Sequence, residues 1–366
     1  MQRLARVGVA MTLVLGCGSR TGLESSSVGD AAPADSPFID GPSCAPAGGI
    51  AIASFPEEVI SIAVAVSGGT VYAGTASIVQ MSPFYVGAIS NVPSGGGTTQ
   101  PLVAPAYNFG ALASDGPRLY YPETMGFPEG CGGGAEYEVI GLLSIDLATG
   151  AAHPITTIAP PFRASSNFGS EMIAATTAWP GVFWIGGKLG HAASTLSAWD
   201  PTSDAVKTIA TGQALSGLAA DATGVYWADV GVGPGITLYR SPLGGGHVST
   251  LATVPGGNGG QLLGVSSADV VFVSDSSPGT IDAVSKAGGS ARALVSSSGV
   301  NDLAWVDGLY LYWTESATPT TLKRIPVSGG PIEVFPTQGN IQSLAFDACN
   351  VYIGSIAPTQ VFVAPM

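Results

Sequence analysis

An all-β ring of seven four-stranded antiparallel blades, a β-propeller, is the fold class this 366-residue sequence predicts, with six or eight blades as alternatives. Three observations predict it. An aromatic anchor set in an aliphatic run recurs seven times along the chain. Glycine-rich turns punctuate most of the repeats. The last repeat stops short at the C-terminus, and the piece it lacks is found close to the other end.

The anchors are Tyr72, Tyr120, Phe183, Tyr226, Phe272, Tyr312 and Tyr352, separated by 48, 63, 43, 46, 40 and 40 residues. A recurrence near 40 residues with strand-like texture fits a toroid of small sheets. Eight to ten residues before each anchor stands an aliphatic residue followed by Ala or Gly: Ile62-Ala63, Leu112-Ala113, Ile173-Ala174, Leu218-Ala219, Leu263-Gly264, Leu303-Ala304 and Leu344-Ala345. Small side chains suit an innermost strand, where seven sheets crowd around one axis. After the anchor comes a second apolar run ending at a glycine turn, as in Leu238–Gly246, Ile281–Gly289 and Leu322–Gly330. Glycine supplies the positive φ of tight hairpins, and proline within these runs marks a strand end or a free edge. A weaker fourth run follows, for example Pro331–Phe335.

The stretch Leu311-Tyr312-Trp313-Thr314-Glu315, followed by Leu322–Gly330, resembles a YWTD repeat, the blade of the low-density-lipoprotein-receptor class B propellers. Val225–Asp229 (VYWAD) is a second near match, and the resemblance extends over about residues 50–366. Those receptor propellers have six blades where seven are counted here, and the motif's acid is absent from units one, three and seven. The resemblance therefore implies the fold and no particular receptor's ligand.

The final unit ends at Val361–Met366, before its glycine turn and fourth strand. Gly48-Gly49 and the apolar run Ile50–Phe55 supply both, so the N-terminal segment is expected to form the outer strand of blade seven and close the ring. Cys44 then falls in the turn between the third and fourth strands of that blade, and Cys349 in the turn between its first and second. The two turns share one end of an up-down sheet, which predicts a Cys44–Cys349 disulfide and leaves Cys131, in the insertion of unit two, unpaired.

Composition supports this frame. Charged residues make up 10% of the chain and hydrophobic residues 46%, while 52 glycines and 27 prolines interrupt every apolar run. After residue 16 no stretch approaches the ~20 apolar residues of a membrane-spanning helix. The net charge of −13 comes without any basic cluster, which argues against a nucleic-acid partner. The acidity is read first as solubility, with cation binding or steering of a positive partner as the alternative.

The first residues form an address. Arg3 and Arg6 precede a short apolar core, Val7–Leu15, and then Gly16-Cys17. Val14-Leu15-Gly16-Cys17 resembles a bacterial lipobox, whose cysteine carries the lipid. Gly18 after it matches the sorting rule known for outer-membrane lipoproteins of enteric bacteria. The alternative is an ordinary secreted protein. Residues 1–16 are accordingly read as signal peptide, 17–46 as a Ser/Pro/Ala-rich flexible tether unable to bury a core of its own, and 47–366 as the propeller. Two or three acyl chains would anchor it stably to the membrane.

Little in the sequence points to catalysis. His153, His191 and His247 lie in separate turns or connections and form no metal-binding spacing, and no nucleophile elbow occurs. The candidate constellation is the acid shortly after the anchor: Glu123, Asp229, Asp275 and Glu315. By strand order all four point to the face that carries the longer insertions, whereas Asp200 lies nearer the other end. Converging carboxylates could hold Ca²⁺; the preferred reading is that each one bonds a neighbouring blade or turn. Trp184, Trp227 and Trp313 are read as packing residues rather than a carbohydrate platform.

The functional expectation is a monomeric, lipid-anchored binding or scaffold module without enzymatic activity or cofactor. A protein or glycan ligand would meet the face formed by Thr124–Val139, Gly186–Ser194 and Ala228–Ile236. Two alternatives stand beside it: a propeller lyase or hydrolase using channel carboxylates and a divalent cation, and a purely structural component of a surface complex.

Overall fold

The computed structural model describes residues 50–56, 59–78, 85–107, 112–127, 136–164, 173–186, 194–231, 235–255, 262–276, 279–296, 300–315 and 317–366. These form seven four-stranded antiparallel sheets. Strand β1 (Ile50–Ser54) opens the described chain and joins the last sheet. Blade one comprises β2 (Val59–Ser67), β3 (Thr70–Ile78), β4 (Tyr85–Pro93) and β5 (Gln100–Tyr107). Blade two comprises β6 (Ala113–Ser114), β7 (Arg118–Phe127), β8 (Glu136–Asp146) and β9 (Ala152–Ala164), and blade three β10 (Ile173–Thr176), β11 (Trp179–Gly186), β12 (Ser194–Asp200) and β13 (Ala205–Gly212). Blade four holds β14 (Leu215–Asp221), β15 (Gly224–Asp229), β16 (Gly235–Ser241) and β17 (Ser249–Pro255). Blade five holds β18 (Leu262–Val265), β19 (Asp269–Ser276), β20 (Gly279–Ser285) and β21 (Arg292–Ser296). In blade six are β22 (Val300–Val306), β23 (Tyr310–Glu315), β24 (Thr318–Pro326) and β25 (Glu333–Pro336). Blade seven combines β26 (Asn340–Phe346), β27 (Asn350–Ile356) and β28 (Gln360–Pro365) with β1 on the outside.

Ring closure follows the sequence expectation: β1 pairs with β28, Ile50 opposite Val363 and Ser54 opposite Gln360. Residues from the two ends of the chain thus share one ladder, and blade seven cannot form without both. Each anchor lies on the second strand of its blade and is buried; Tyr120, Phe183, Tyr226, Phe272 and Tyr352 are wholly inaccessible. The hydrophobic core is not axial but divided among the blade interfaces. One cluster spans blades five to seven, another blades one to three, and others join three to four, four to five and seven to one.

The small residues of the inner strands are set by this crowding. A Cβ on Gly264 would stand 2.9 Å from Cβ of Val306 on the next blade. Five inner strands also carry a register shift against their second strand, at Val59/Ser61, Ser216/Leu218, Leu262/Gly264, Val300/Ala304 and Ile341/Ser343. Such bulges add local twist, which helps a narrow inner strand turn along the axis. At the opposite edge, the third strands end at proline or serine and turn through a left-handed glycine. Gly329, at φ 91, donates its N–H to Pro326 O at 2.8 Å.

Two local expectations are refined. The fourth strand of blade six runs over Glu333–Pro336 rather than Pro331–Phe335. The insertion of unit two is in large part a continuation of the β7–β8 hairpin, Thr124 pairing with Val139 and Phe127 with Glu136, with residues 128–135 outside the described chain. No helix among the described residues is long and apolar enough to cross a membrane.

Candidate functional site

The connections between second and third strands, and those leading to the next blade, gather at one end of the ring. Asp229 ends β15 there and is buried, 3% exposed. Its carboxylate accepts the backbone N–H groups of Gln213 (3.3 Å), Ala214 (3.2 Å) and Gly231 (2.8 Å). The connection from blade three to blade four is therefore pinned onto blade four. The approach is close enough that a Cβ on Gly212 would lie 2.5 Å from Asp229 Oδ2. Glu315, at the end of β23, pairs with Lys323 Nζ of the facing strand at 2.7 Å. The side chains of Glu123 and Asp275 lie outside the described residues, although both backbones belong to strands. Asp200 sits at the other end and caps its own turn by accepting Thr202 N–H at 2.8 Å, which holds its carboxyl below the usual range. Among the described residues, no three His, Cys, Asp or Glu side chains converge in a way that could hold a metal.

A second set of acids, five residues before the anchors, escaped the sequence reading. Asp115, Asp221, Asp307 and Asp347 sit in the turns between first and second strands. Asp347 Oδ1 accepts the N–H groups of Cys349 and Asn350, both at 2.7 Å, while its Oδ2 accepts the Tyr352 hydroxyl at 2.6 Å. Asp307 likewise caps Leu309 and Tyr310 (2.8 and 2.7 Å) and takes the Tyr312 hydroxyl at 3.2 Å. Asp115 caps Arg118 and holds the Tyr120 hydroxyl at 2.6 Å, and it also accepts Gly181 N–H from the next blade at 3.1 Å. Asp221 reaches its anchor indirectly. It caps Thr223 and Gly224, Thr223 meets the Tyr226 hydroxyl at 2.6 Å, and Oδ2 pairs with Lys286 of blade five. Burial, reinforced by the neighbouring carboxylate, pushes the phenols of Tyr120, Tyr312 and Tyr352 up, that of Tyr352 to about 12. The signal was present in the sequence: Asp stands at this position before four of five tyrosine anchors and before neither phenylalanine.

The remaining candidates are dispersed. His153 stacks on Trp199 with ring centroids 6.0 Å apart and lies 3.7 Å from Asp204 Oδ1, while His247 is an exposed turn residue on blade four. His191 lies outside the described residues, as do Cys17, Cys44 and Cys131. Trp227 and Trp313 are each 1% exposed and Trp184 is buried, so these three offer no platform. Cys349 occupies the turn before β27, where its carbonyl accepts Met366 N–H at 2.9 Å.

Two features on blades six and seven stand apart. Trp313 Nε1, Thr314 Oγ1 and Gln342 Oε1 are buried without a hydrogen-bond partner. A cleft of about 350 Å³ also opens between the outer strands of these blades, walled by Leu322, Phe335, Val351, Ile353 and Phe362. Arg324 is the charged group in its lining. Its guanidinium lies between the rings of Tyr310 (4.5 Å) and Phe335 (4.8 Å) and donates to Glu333 Oε2 from Nε and Nη2 at 3.0 and 2.8 Å.

No family model matches the sequence, and no curated protein matches it. Solved structures do share its form. Oligogalacturonate lyase from Vibrio parahaemolyticus superposes with a TM-score of 0.57 at 10% identity, over 85% of this chain and 92% of that one. The β-propeller domain of the Trilobed protease from Pyrococcus furiosus gives 0.57 at 12% identity, over 83% and 95%. Virginiamycin B lyase from Staphylococcus aureus gives 0.56 at 12%, over 87% and 99%. At such identities the likeness establishes fold and nothing more. The chain is a seven-bladed β-propeller of four-stranded antiparallel blades.

Proposed function

We propose that the protein is a lipid-anchored propeller of the cell envelope, built from YWTD-type blades, that binds or scaffolds a protein or glycan on its insertion-bearing face. The observation that carries this reading is the use made of the acids on that face. Asp229 is consumed by three backbone amides and Glu315 by Lys323, so both serve the frame of the ring. The leader and Cys17 supply the membrane attachment, sorting to the outer membrane. Cys349 is disulfide-bonded to a cysteine outside the described residues. Cys44 is the partner we propose, because it precedes β1 directly and β1 lies in the same sheet as Cys349's neighbours. A disulfide fits an oxidising compartment such as the envelope.

Lyase chemistry is the second reading, favoured by the two lyases whose own chains are covered almost completely. Calorimetric titration with Ca²⁺ and Mn²⁺, together with thermal melting, separates the two. The binding-module reading expects no heat and an unchanged melting temperature. Stoichiometric binding lost in Asp229→Asn or Glu123→Gln would instead support a metal-dependent enzyme. For the anchor, incorporation of labelled palmitate that disappears in Cys17→Ser is the expected result, and incorporation unaffected by that change would refute it.

A further inference from the structure

The cleft between blades six and seven lies where the described chain begins. Ile50 pairs with Val363 in an antiparallel ladder, so the chain preceding Ile50 approaches along Ala364 and Pro365, which line the cleft. Upstream, residues 18–46 are mostly small and polar. Their one pair of adjacent bulky apolar residues is Phe38-Ile39, flanked by Asp35 and Asp40. The cleft offers the complement: an apolar interior with the Arg324 guanidinium in its wall. Twelve residues separate Phe38 from Ile50, a reach of up to roughly 40 Å. The Cys44–Cys349 bridge proposed above would shorten the leash to six residues and fix its origin beside Val351.

We infer that this cleft is the docking site for the chain's own Phe38-Ile39 segment, the two side chains entering between the blades while Asp35 or Asp40 meets Arg324. Docking of this kind requires only the propeller and the residues before β1. Combined with the lipid anchor, it divides the tether: residues 17–35 remain as the free spacer, and the ring is held with blades six and seven toward the membrane.

The full mature chain tests the assignment. With a benzoylphenylalanine probe replacing Phe38, irradiation is expected to give cross-links to peptides spanning 318–336 or 350–365. Cross-links to other blades, or a yield no higher than with the same probe at Ser26, would overturn it. An Ala364→Phe variant fills the cleft without touching the tether. Thermolysin cleavage at Phe38-Ile39 should then be about tenfold faster than in the wild type, since cleavage follows the population of the undocked segment. A wild-type rate equal to that of a free peptide covering residues 33–43 would sink the proposal. So would stoichiometric binding of an apolar dye in the wild-type cleft, which would show it open to other occupants.

Discussion

Blades two, four, six and seven differ from blades three and five in how the hairpin between the first two strands is held. In the first group a carboxylate divides its two oxygens: one caps backbone N–H groups of the turn, and the other serves the buried tyrosine or, in blade four, a lysine of the next blade. In blades three and five the anchor is phenylalanine, with no hydroxyl to satisfy, and a single side-chain hydroxyl does the capping. Ser266 Oγ accepts Ala268 and Asp269 N–H at 3.2 and 2.9 Å, and Thr176 Oγ1 accepts Ala178 N–H at 3.3 Å. The difference teaches that anchor and turn are one choice made at two positions. A phenol at 0% exposure needs an acceptor, and the turn provides it.

The largest expected effect breaks this comparison at blade two. Asp115→Ala leaves the Tyr120 hydroxyl buried without its acceptor and strips two amides of theirs, one of them on blade three. It should cost about 3–4 kcal/mol in denaturant unfolding, against about 1 kcal/mol or less for Thr176→Ala. Equal losses would show that the carboxylate is no more than a turn cap. A smaller effect sharpens the same point. Asp307→Ser and Tyr312→Phe convert blade six to the pattern of blade five, and the pair should couple by about 1–2 kcal/mol, the double variant being more stable than the sum of the singles implies. Strict additivity would separate anchor from turn.

The ring itself was legible in the residues because each blade repeats the same burial problem. An aromatic anchor, a small inner residue and a glycine turn recur wherever seven sheets meet, and the truncated last copy shows where β1 belongs. The acids divided unevenly. Asp229 and Glu315 were visible as motif residues, but their partners were not. Asp229 meets amides 15 and 16 residues away, across a connection whose path no local pattern encodes. Glu315 and Lys323 meet only through the pairing of β23 with β24. The turn aspartates were missed for a different reason: attention to the acid after the anchor hid the one before it, although their co-occurrence with tyrosine was there to be read. The cleft between blades six and seven could not be read at all. It arises where Ala364 and Pro365 leave space that bulkier side chains would fill, a property of two blades together.

The mildest prediction concerns pH, and it again divides the two groups of blades. Burial first, and the adjacent aspartate second, keep the phenols of Tyr120, Tyr312 and Tyr352 protonated above the range in which a free tyrosine ionises. For a group whose acid form is favoured by folding, the stabilisation is complete below the unfolded value near 10 and disappears as pH climbs through the folded one. Stability is therefore expected to stay level on this account up to about pH 10 and to fall between there and about 12, the value that Tyr352 reaches in the folded chain. Tyr352→Phe should flatten that decline while lowering stability at neutral pH, because Asp347 Oδ2 loses its donor. A phenylalanine in blade three or five has no such term, so Phe183→Leu should shift the whole curve downward without changing its slope. Ultraviolet titration of phenolate alongside denaturant unfolding at each pH measures both. If phenolate appeared in full before stability began to fall, the coupling between anchor ionisation and folding would be refuted.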